Sequence, residues 1–429
     1  MRGPAFVLGA CLWAAALGFG GTEVYTLAAV QSVVLVLAIG LLWTKRSTPE
    51  PRARLPWLAP ALLLALVFVQ HVQLDREGYT LPMHLPRLVT CLAVFLMAAR
   101  VGQEAGARRR LLAAILLLGV LEALYGMVQY LADWHRIFAL QKVYYTAHAT
   151  GTYVNPNHFS GLLEMILPLL AAASLYHWEC WSLRDAPRRK RDEIREGDAL
   201  ARAGFFAVLA VLLLTAILFS RSRMGILSAA AGLGVLSLAW LFSTPYRRRA
   251  IGVLATLLVI VAGLSVWIGL GPVFERFTQL EADTVPRLQV WRDALALVSA
   301  HPWLGSGFGS FADVYPRVQT ALPVKIVEHA HNDYLQAAVE LGVPAALLLF
   351  AAIAVLVLRG LLAGMFRPLR SPERFELLGC AAGVLALLVH SAADFNLQLP
   401  ANAMLFATLL GILAAMVTPA GSRARLPRA

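Results

Sequence analysis

Apolar residues in this chain fall in long runs. Stretches of about 17–24 residues recur from end to end, each enough to cross roughly 30 Å of hydrocarbon as a helix. Twelve segments are recognised, at approximately 5–20, 24–43, 56–71, 86–99, 111–131, 158–177, 203–219, 225–243, 250–270, 335–358, 375–391 and 402–418, the fourth and eleventh being short. The pattern predicts an all-α integral membrane protein with about twelve transmembrane helices, a single polytopic domain over 1–429. The long polar interval 271–334 separates the ninth segment from the tenth. Within it, Leu288, Trp291, Leu295 and Val298 stand at helical spacing between Pro286 and Ala300, which predicts an amphipathic helix lying on the membrane surface or against the bundle. Asp333 followed by Gln336 has the pattern of a capping box and is expected to start the tenth helix.

Composition agrees with this class. Of 429 residues, 59% are hydrophobic and only 14% charged, which excludes a soluble multidomain enzyme and a disordered chain. The net charge of +12 would suit nucleic acid, but its distribution points to a bilayer. The segments 1–4, 44–55, 100–110, 177–203, 244–250, 359–376 and 419–429 hold 26 of the 37 Lys and Arg and 10 of the 25 acids, a balance of +16, and the remainder carries −4. These are alternate loops of the twelve-helix reading, so the positive-inside rule places them, with both termini, in the cytoplasm. Residues 1–20 have the look of a signal peptide, but the alternation requires that they stay as the first helix. Cys11, Cys91, Cys180 and Cys380 are scattered, with no CxxC pair, so neither a disulfide framework nor a zinc site is expected.

The remaining loops, 21–23, 72–85, 132–157, 220–224, 271–334 and 392–401, then share the outer face and hold nearly every unusual polar residue. The turn Ser220-Arg221-Ser222-Arg223 has no acid close in sequence. Two guanidiniums at membrane depth call for an anion, and Arg suits phosphate oxygens; snorkelling to the interface is the alternative. Arg287 opens the amphipathic helix and shares a face with Trp291. Gly305-Ser306-Gly307-Phe308-Gly309 follows no strand and is read as a flexible turn. His329-Ala330-His331-Asn332-Asp333-Tyr334 sits where the polar interval meets the tenth apolar run. An imidazole there, beside a helix N-terminus, suits a base or hydrogen-bonding role; a structural histidine pair is the alternative, and a metal site lacks completing ligands. Gly151–His158 leads into the sixth helix, with Asn157 near its start, and His390–Asn396, which includes Asp394, closes the eleventh. Glu122, Glu164 and Glu340 fall within helices.

In this order, GTYVNPNHFSGLLEMILPLL at 151–170, SRSRMGIL at 220–227, RLQVW with HPWLGSGFGSF at 287–311, and HAHNDYLQ at 329–336 resemble the O-antigen ligase family of bacterial membrane glycosyltransferases. That family includes related polymerases and protein O-oligosaccharyltransferases. HSAADFNLQLPANAMLFATLLGI at 390–412 fits one of its branches; the first 110 residues match only as hydrophobic helices. The resemblance implies a multi-pass protein of the bacterial inner membrane with a periplasmic active site. It implies transfer of a glycan from undecaprenyl diphosphate to an acceptor hydroxyl, lipid A-core first among acceptors. Carried over residue by residue, it makes His331, Arg287 and Arg223 the catalytic set. Arg221, His329, Asn332, Asp333, Asn157 and Asp394 are expected to bind substrate. No metal, cofactor or nucleic acid is expected. An anion transporter is the rival class, but transporters place their sites near the midplane between repeats, whereas these groups collect at one face.

Overall fold

The computed structural model describes residues 2–43, 55–73, 81–182, 190–244, 247, 251, 280–320 and 326–417, which are mostly helical. Before the long polar interval the chain forms α1 (Arg2–Leu17), α2 (Val24–Trp43), α3 (Leu55–Gln73), α4 (Leu81–Gly102), α5 (Ala105–Leu131), α6 (Pro156–Ser182), α7 (Lys190–Phe219) and α8 (Arg223–Ser243). A two-residue hairpin, β1 (Arg136–Ile137) and β2 (Leu140–Gln141), follows α5. Then come α9 (Leu280–Ala300), the single turn α10 (Phe311–Val314), α11 (Asp333–Leu341), α12 (Val343–Phe366), α13 (Pro372–His390) and α14 (Pro400–Val417). Among the described residues, seven helices, α4 to α8, α12 and α14, are long and apolar enough to cross a membrane. The chain is therefore an all-α membrane protein. Helices occupy the twelve apolar segments except the ninth, 250–270, which lies outside the described residues apart from Ile251.

A helix apolar all round can face either lipid or protein, and both cases occur. In α6 and α14, 78% and 83% of the apolar stretch is buried, against 17% in α12. The centre of the bundle is thus α6, α13 and α14, with α4 packed along α14 and α7 along α6. Small residues permit the closest approaches: Gly411 of α14 lies against the Phe95 carbonyl of α4, where a β-carbon would collide.

Polar contacts sort the helix ends into two sets. At one end, Arg108 near the start of α5 meets Glu376 near the start of α13 at 2.6 Å, and Arg109 meets Glu373 at 3.0 Å. Beside them, Arg374 approaches Glu179 of α6 at 3.7 Å and donates to the Ser243 hydroxyl of α8 at 2.8 Å. At the other end, Gln129 of α5 donates to the Gly151 carbonyl at 2.9 Å, Gly225 of α8 rests on Ser160 of α6, and Asn157 reaches Asp394 beyond α13 at 2.7 Å. These are the two loop sets that the charge distribution separates.

The polar interval folds around its own small core, in which Val290, Ala294 and Leu297 of α9 meet Phe311, Tyr315 and Val339. The apolar stripe read from the sequence straddles two faces of α9: Val298 packs against this core and Trp291 donates its indole N–H to the Ala330 carbonyl at 3.0 Å, whereas Leu288 and Leu295 are exposed. Asp293 hid the buried face, because its carboxylate is inside, accepting from the Tyr315 hydroxyl at 2.9 Å and the Thr320 hydroxyl at 2.6 Å.

The tenth apolar segment is not one helix. Gly342, at φ 80°, ends α11, and Val343-Pro344 begins α12. Pro344 lacks the N–H that a continuous helix needs and suits a first turn. Residues 302–307 strap across the break: Val343 N–H donates to the Pro302 carbonyl (2.9 Å), Ser306 N–H to that of Val339 (2.8 Å) and Gly307 N–H to that of Glu340 (3.1 Å). The expected flexible turn is therefore bonded in place, and the loop unit runs on past residue 334 to Leu341. The helix cap is also shifted by one residue. Asn332, not Asp333, caps α11, its side chain accepting from Leu335 N–H at 3.0 Å.

Candidate active site

At the second end of the bundle, three pieces of chain converge: the start of α6, the segment 329–336, and the turn between α13 and α14. Asp333 ties the last two together. Its N–H donates to the Ser391 carbonyl at 2.9 Å, and its carboxyl accepts from the Ser391 hydroxyl at 2.8 Å, Leu397 N–H at 3.1 Å and Gln398 at 3.4 Å. Burial pushes this carboxyl up to about 7, against those hydrogen bonds. Only 2% exposed, Asp333 pins the loop to the bundle, and Asn332 is occupied as the cap. The start of α6 joins through Asn402, which donates to the His158 carbonyl and to Asn396, each at 2.9 Å.

The ring of Phe395 is the hub. His158, His329 and His331 lie around it with ring centres 4.7, 4.5 and 4.8 Å away. His329 stacks on the ring, and its Nδ1 is 3.3 Å from the Gln336 side-chain nitrogen. Burial, with the neighbouring His331 and His158, pushes its pKa down to about 4, so it stays neutral near pH 7.

His331 is held at φ 50°, a left-handed backbone conformation uncommon for a residue with a side chain. Its Nδ1 lies 3.8 Å from Asp394 Oδ1, with a third of the imidazole exposed (33%) and the carboxylate nearly closed off (1%). Asp394 also accepts from Asn157 at 2.7 Å and from Phe395 N–H at 2.9 Å. Burial works against its ionisation, but His331, His158, His390 and Arg287 outweigh burial and hold its pKa below the usual carboxylate range. Arg287 arrives from α9 and donates to the carbonyl of Ala393, the residue before Asp394, at 2.9 Å.

Arg223 is the first residue of α8, after Ser222, whose hydroxyl accepts from Gly225 N–H at 3.2 Å. Gly225 abuts Ser160, which donates to the Asn157 carbonyl at 2.8 Å, so Arg223 starts its helix at this end of the bundle. Arg221 takes a left-handed conformation (φ 54°) and turns to a wall of the bundle, with its guanidinium 5.6 Å from the Tyr130 ring centre and 3.2 Å from the Tyr130 hydroxyl. Of the residues singled out in the sequence, the fold therefore gathers His331, His329, Arg287, Asp394 and Asn157 closely. Sequence reasoning missed His158, Phe395, His390 and the partnership of His390 with Glu164. The His390–Asp394 spacing of four was the available signal; nothing local marks a pairing with Glu164. Among the described residues, no group of three or more His, Cys, Asp or Glu is arranged to hold a metal ion.

A helical membrane protein with an imidazole, a buried carboxylate and a guanidinium gathered at one end of its bundle is the class defined so far. A family model described as O-Antigen ligase matches residues 208–350, so the chain carries an O-antigen ligase family segment from α7 into α12. Arg221, Arg223, Arg287, His329 and His331 lie inside the match; Asn157 and Asp394 lie outside it. No curated protein matches the chain.

Proposed function

We propose that this protein is an O-antigen ligase-type glycosyltransferase whose site is the cluster around His331, Asp394 and Arg287. The observation that carries the reading is His331: one ring nitrogen faces a buried carboxylate while a third of the side chain stays open. This arrangement suits a base, because the nearby carboxylate stabilises the proton that the ring acquires. The donor is a glycan on undecaprenyl diphosphate, with its polyprenyl tail in the lipid. The acceptor oxygen bonds to the anomeric carbon as the carbon–oxygen bond to phosphate breaks. The diphosphate leaves with that electron pair, and the acceptor proton passes to His331. Arg287 and Arg223 neutralise the leaving group, with Arg221 at the margin of the site. Lipid A-core is the proposed acceptor, and polymerases and protein O-oligosaccharyltransferases of the same family are the variants closest to this reading. The site end faces the periplasm, and both termini face the cytoplasm.

The test is product formation from purified protein in lipid nanodiscs, given a polyprenyl-diphosphate glycan and, in separate arms, lipid A-core, a second glycan chain or a serine peptide. Transfer without ATP, unaffected by EDTA and lost in His331→Ala, supports the reading. Zinc-restored activity after chelation, or undiminished transfer by His331→Ala, overturns it.

A further inference from the structure

Four ionisable groups stand in line from the interior of the bundle to its open end: Glu164, His390, Asp394 and His331. His390 Nδ1 lies 2.9 Å from Glu164, and both side chains are completely buried. The other ring nitrogen, Nε2, points to Asp394 Oδ2 at 3.9 Å, while Asp394 Oδ1 is 3.8 Å from His331 Nδ1. One carboxylate thus stands between two imidazoles, one closed off in the bundle and one at the open end. The two nitrogens that face it, His390 Nε2 and His331 Nδ1, are both buried atoms without a hydrogen-bond partner. Each gap exceeds hydrogen-bond reach of roughly 3.2 Å by less than an ångström. A small shift of the carboxylate would make either bond, but not both.

We propose that Glu164 and His390 are positioning residues, which set the place of the Asp394 carboxylate and through it the state of His331. This rests on the transferase reading above. A carboxylate–imidazole pair sunk in a bundle carries a desolvation cost that apolar side chains of similar volume would avoid, so packing does not account for it. When His331 takes the acceptor proton, Asp394 closes on it; His390 gives up its share of the carboxylate but keeps Glu164. When the proton leaves, Asp394 returns to its place between the rings. The only bonds that change in this exchange are the acceptor O–H, which breaks, and an N–H on His331, which forms. The ionisable groups that act on His390 are Glu164 and His158 from α6, Asp333 from α11 and Asp394; those that act on the His331–Asp394 pair are Glu164 and His158 from α6, Arg287 from α9, Asp333 from α11, His329 and His390.

The experiment follows His331 directly. Full-length protein in nanodiscs is treated with diethyl pyrocarbonate across a pH series, and modification of His331 is read by peptide mass spectrometry in wild type and in His390→Gln. Without the second imidazole, Asp394 pairs with His331 alone and favours its protonated ring. The expected result is an upward move of the His331 midpoint by about one pH unit, with transfer turnover down at least about tenfold and donor KM unchanged. Glu164→Gln, which leaves His390 in place without its charged anchor, is the second variant and is also expected to move the midpoint. An unchanged midpoint in a variant that folds overturns the proposal. Absence of transfer in wild type would instead overturn the transferase reading, and the midpoint would still test the coupling.

Discussion

At the scale of single residues, the cluster works by unequal burial. His331 is the partly open imidazole, His329 is the stacked and neutral one, and Asp394 is the carboxylate between His331 and the interior. His331→Ala is expected to lower turnover by about 10²–10⁴-fold while donor affinity stays within a small factor, measured by single-turnover kinetics beside donor binding. Arg287→Ala should lose both binding and turnover, and Arg287→Lys should recover only part, because an ammonium cannot grip two phosphate oxygens at once. An Arg287→Ala variant with full activity would remove that residue from the chemistry. His329 gives a prediction of different sign. Its folded-state pKa is about 4, below the ordinary value of 6.5, so between those limits the unfolded chain binds more protons. Its contribution to stability is present above about pH 6.5 and is lost as pH falls towards 4. Thermal unfolding of wild type and His329→Gln at pH 7.5 and 5 checks this: acid should cost wild type more than the variant, and an equal loss would show that His329 is not held neutral. His331, His329, Arg287 and Asp394 were singled out in the sequence, because polar groups stand out against apolar runs, whereas His390 and Glu164 were named there without a role. Their partnerships were not legible, since the contacts join segments far apart in the chain.

At the scale of elements, the break between α11 and α12 sets the site's position. The sequence shows one apolar run from Leu335 to Leu358, and hydropathy alone cannot tell a continuous helix from two. Gly342 is the local clue, but its role depends on the strap 302–307 that crosses it. At φ 80°, and with the Trp303 carbonyl where a β-carbon would go, the position admits only glycine without strain. Gly342→Ala should therefore destabilise the protein by more than about 1 kcal/mol and loosen the docking of α9 and α11 together. Hydrogen exchange over residues 302–320 and 326–341 would show the effect as lost protection; unchanged protection would mean that the strap does not depend on the break. The membrane helices were more readable, because a run of apolar residues long enough to span has few other fates. The face of α9 was misjudged because a carboxylate buried with four hydrogen bonds, two of them from Thr320 and one each from Tyr315 and Gln289, looks from sequence like a solvent-facing residue.

At the scale of the whole molecule, the two ends of the bundle carry different chemistry. One end is rich in Arg with paired Glu, and its contacts, such as Arg108 with Glu376 and Arg374 with Glu179, lock helix ends together. The other end holds the histidines, Asp394 and Arg287. The charge bias that separates these ends was legible as loop composition, because positive-inside orientation depends on how many Lys and Arg a loop carries and not on what they touch. The proposal that the histidine end faces outward rests on that rule and can be measured. With Cys91→Ser and Cys180→Ser as the background, since Cys11 and Cys380 are buried, one cysteine is placed at Glu328 and another at Asp198, both exposed positions. A membrane-impermeant maleimide applied to intact cells should label the cysteine at 328 and reach the one at 198 only after permeabilisation. Glu328 is near His329 and His331, so its labelling reports on the site end itself, while Asp198 lies at the very start of the apolar part of α7, Gly197–Phe219, beside the basic stretch. The reverse pattern would put His331 and Arg287 in the cytosol and would overturn the proposed outward-facing site.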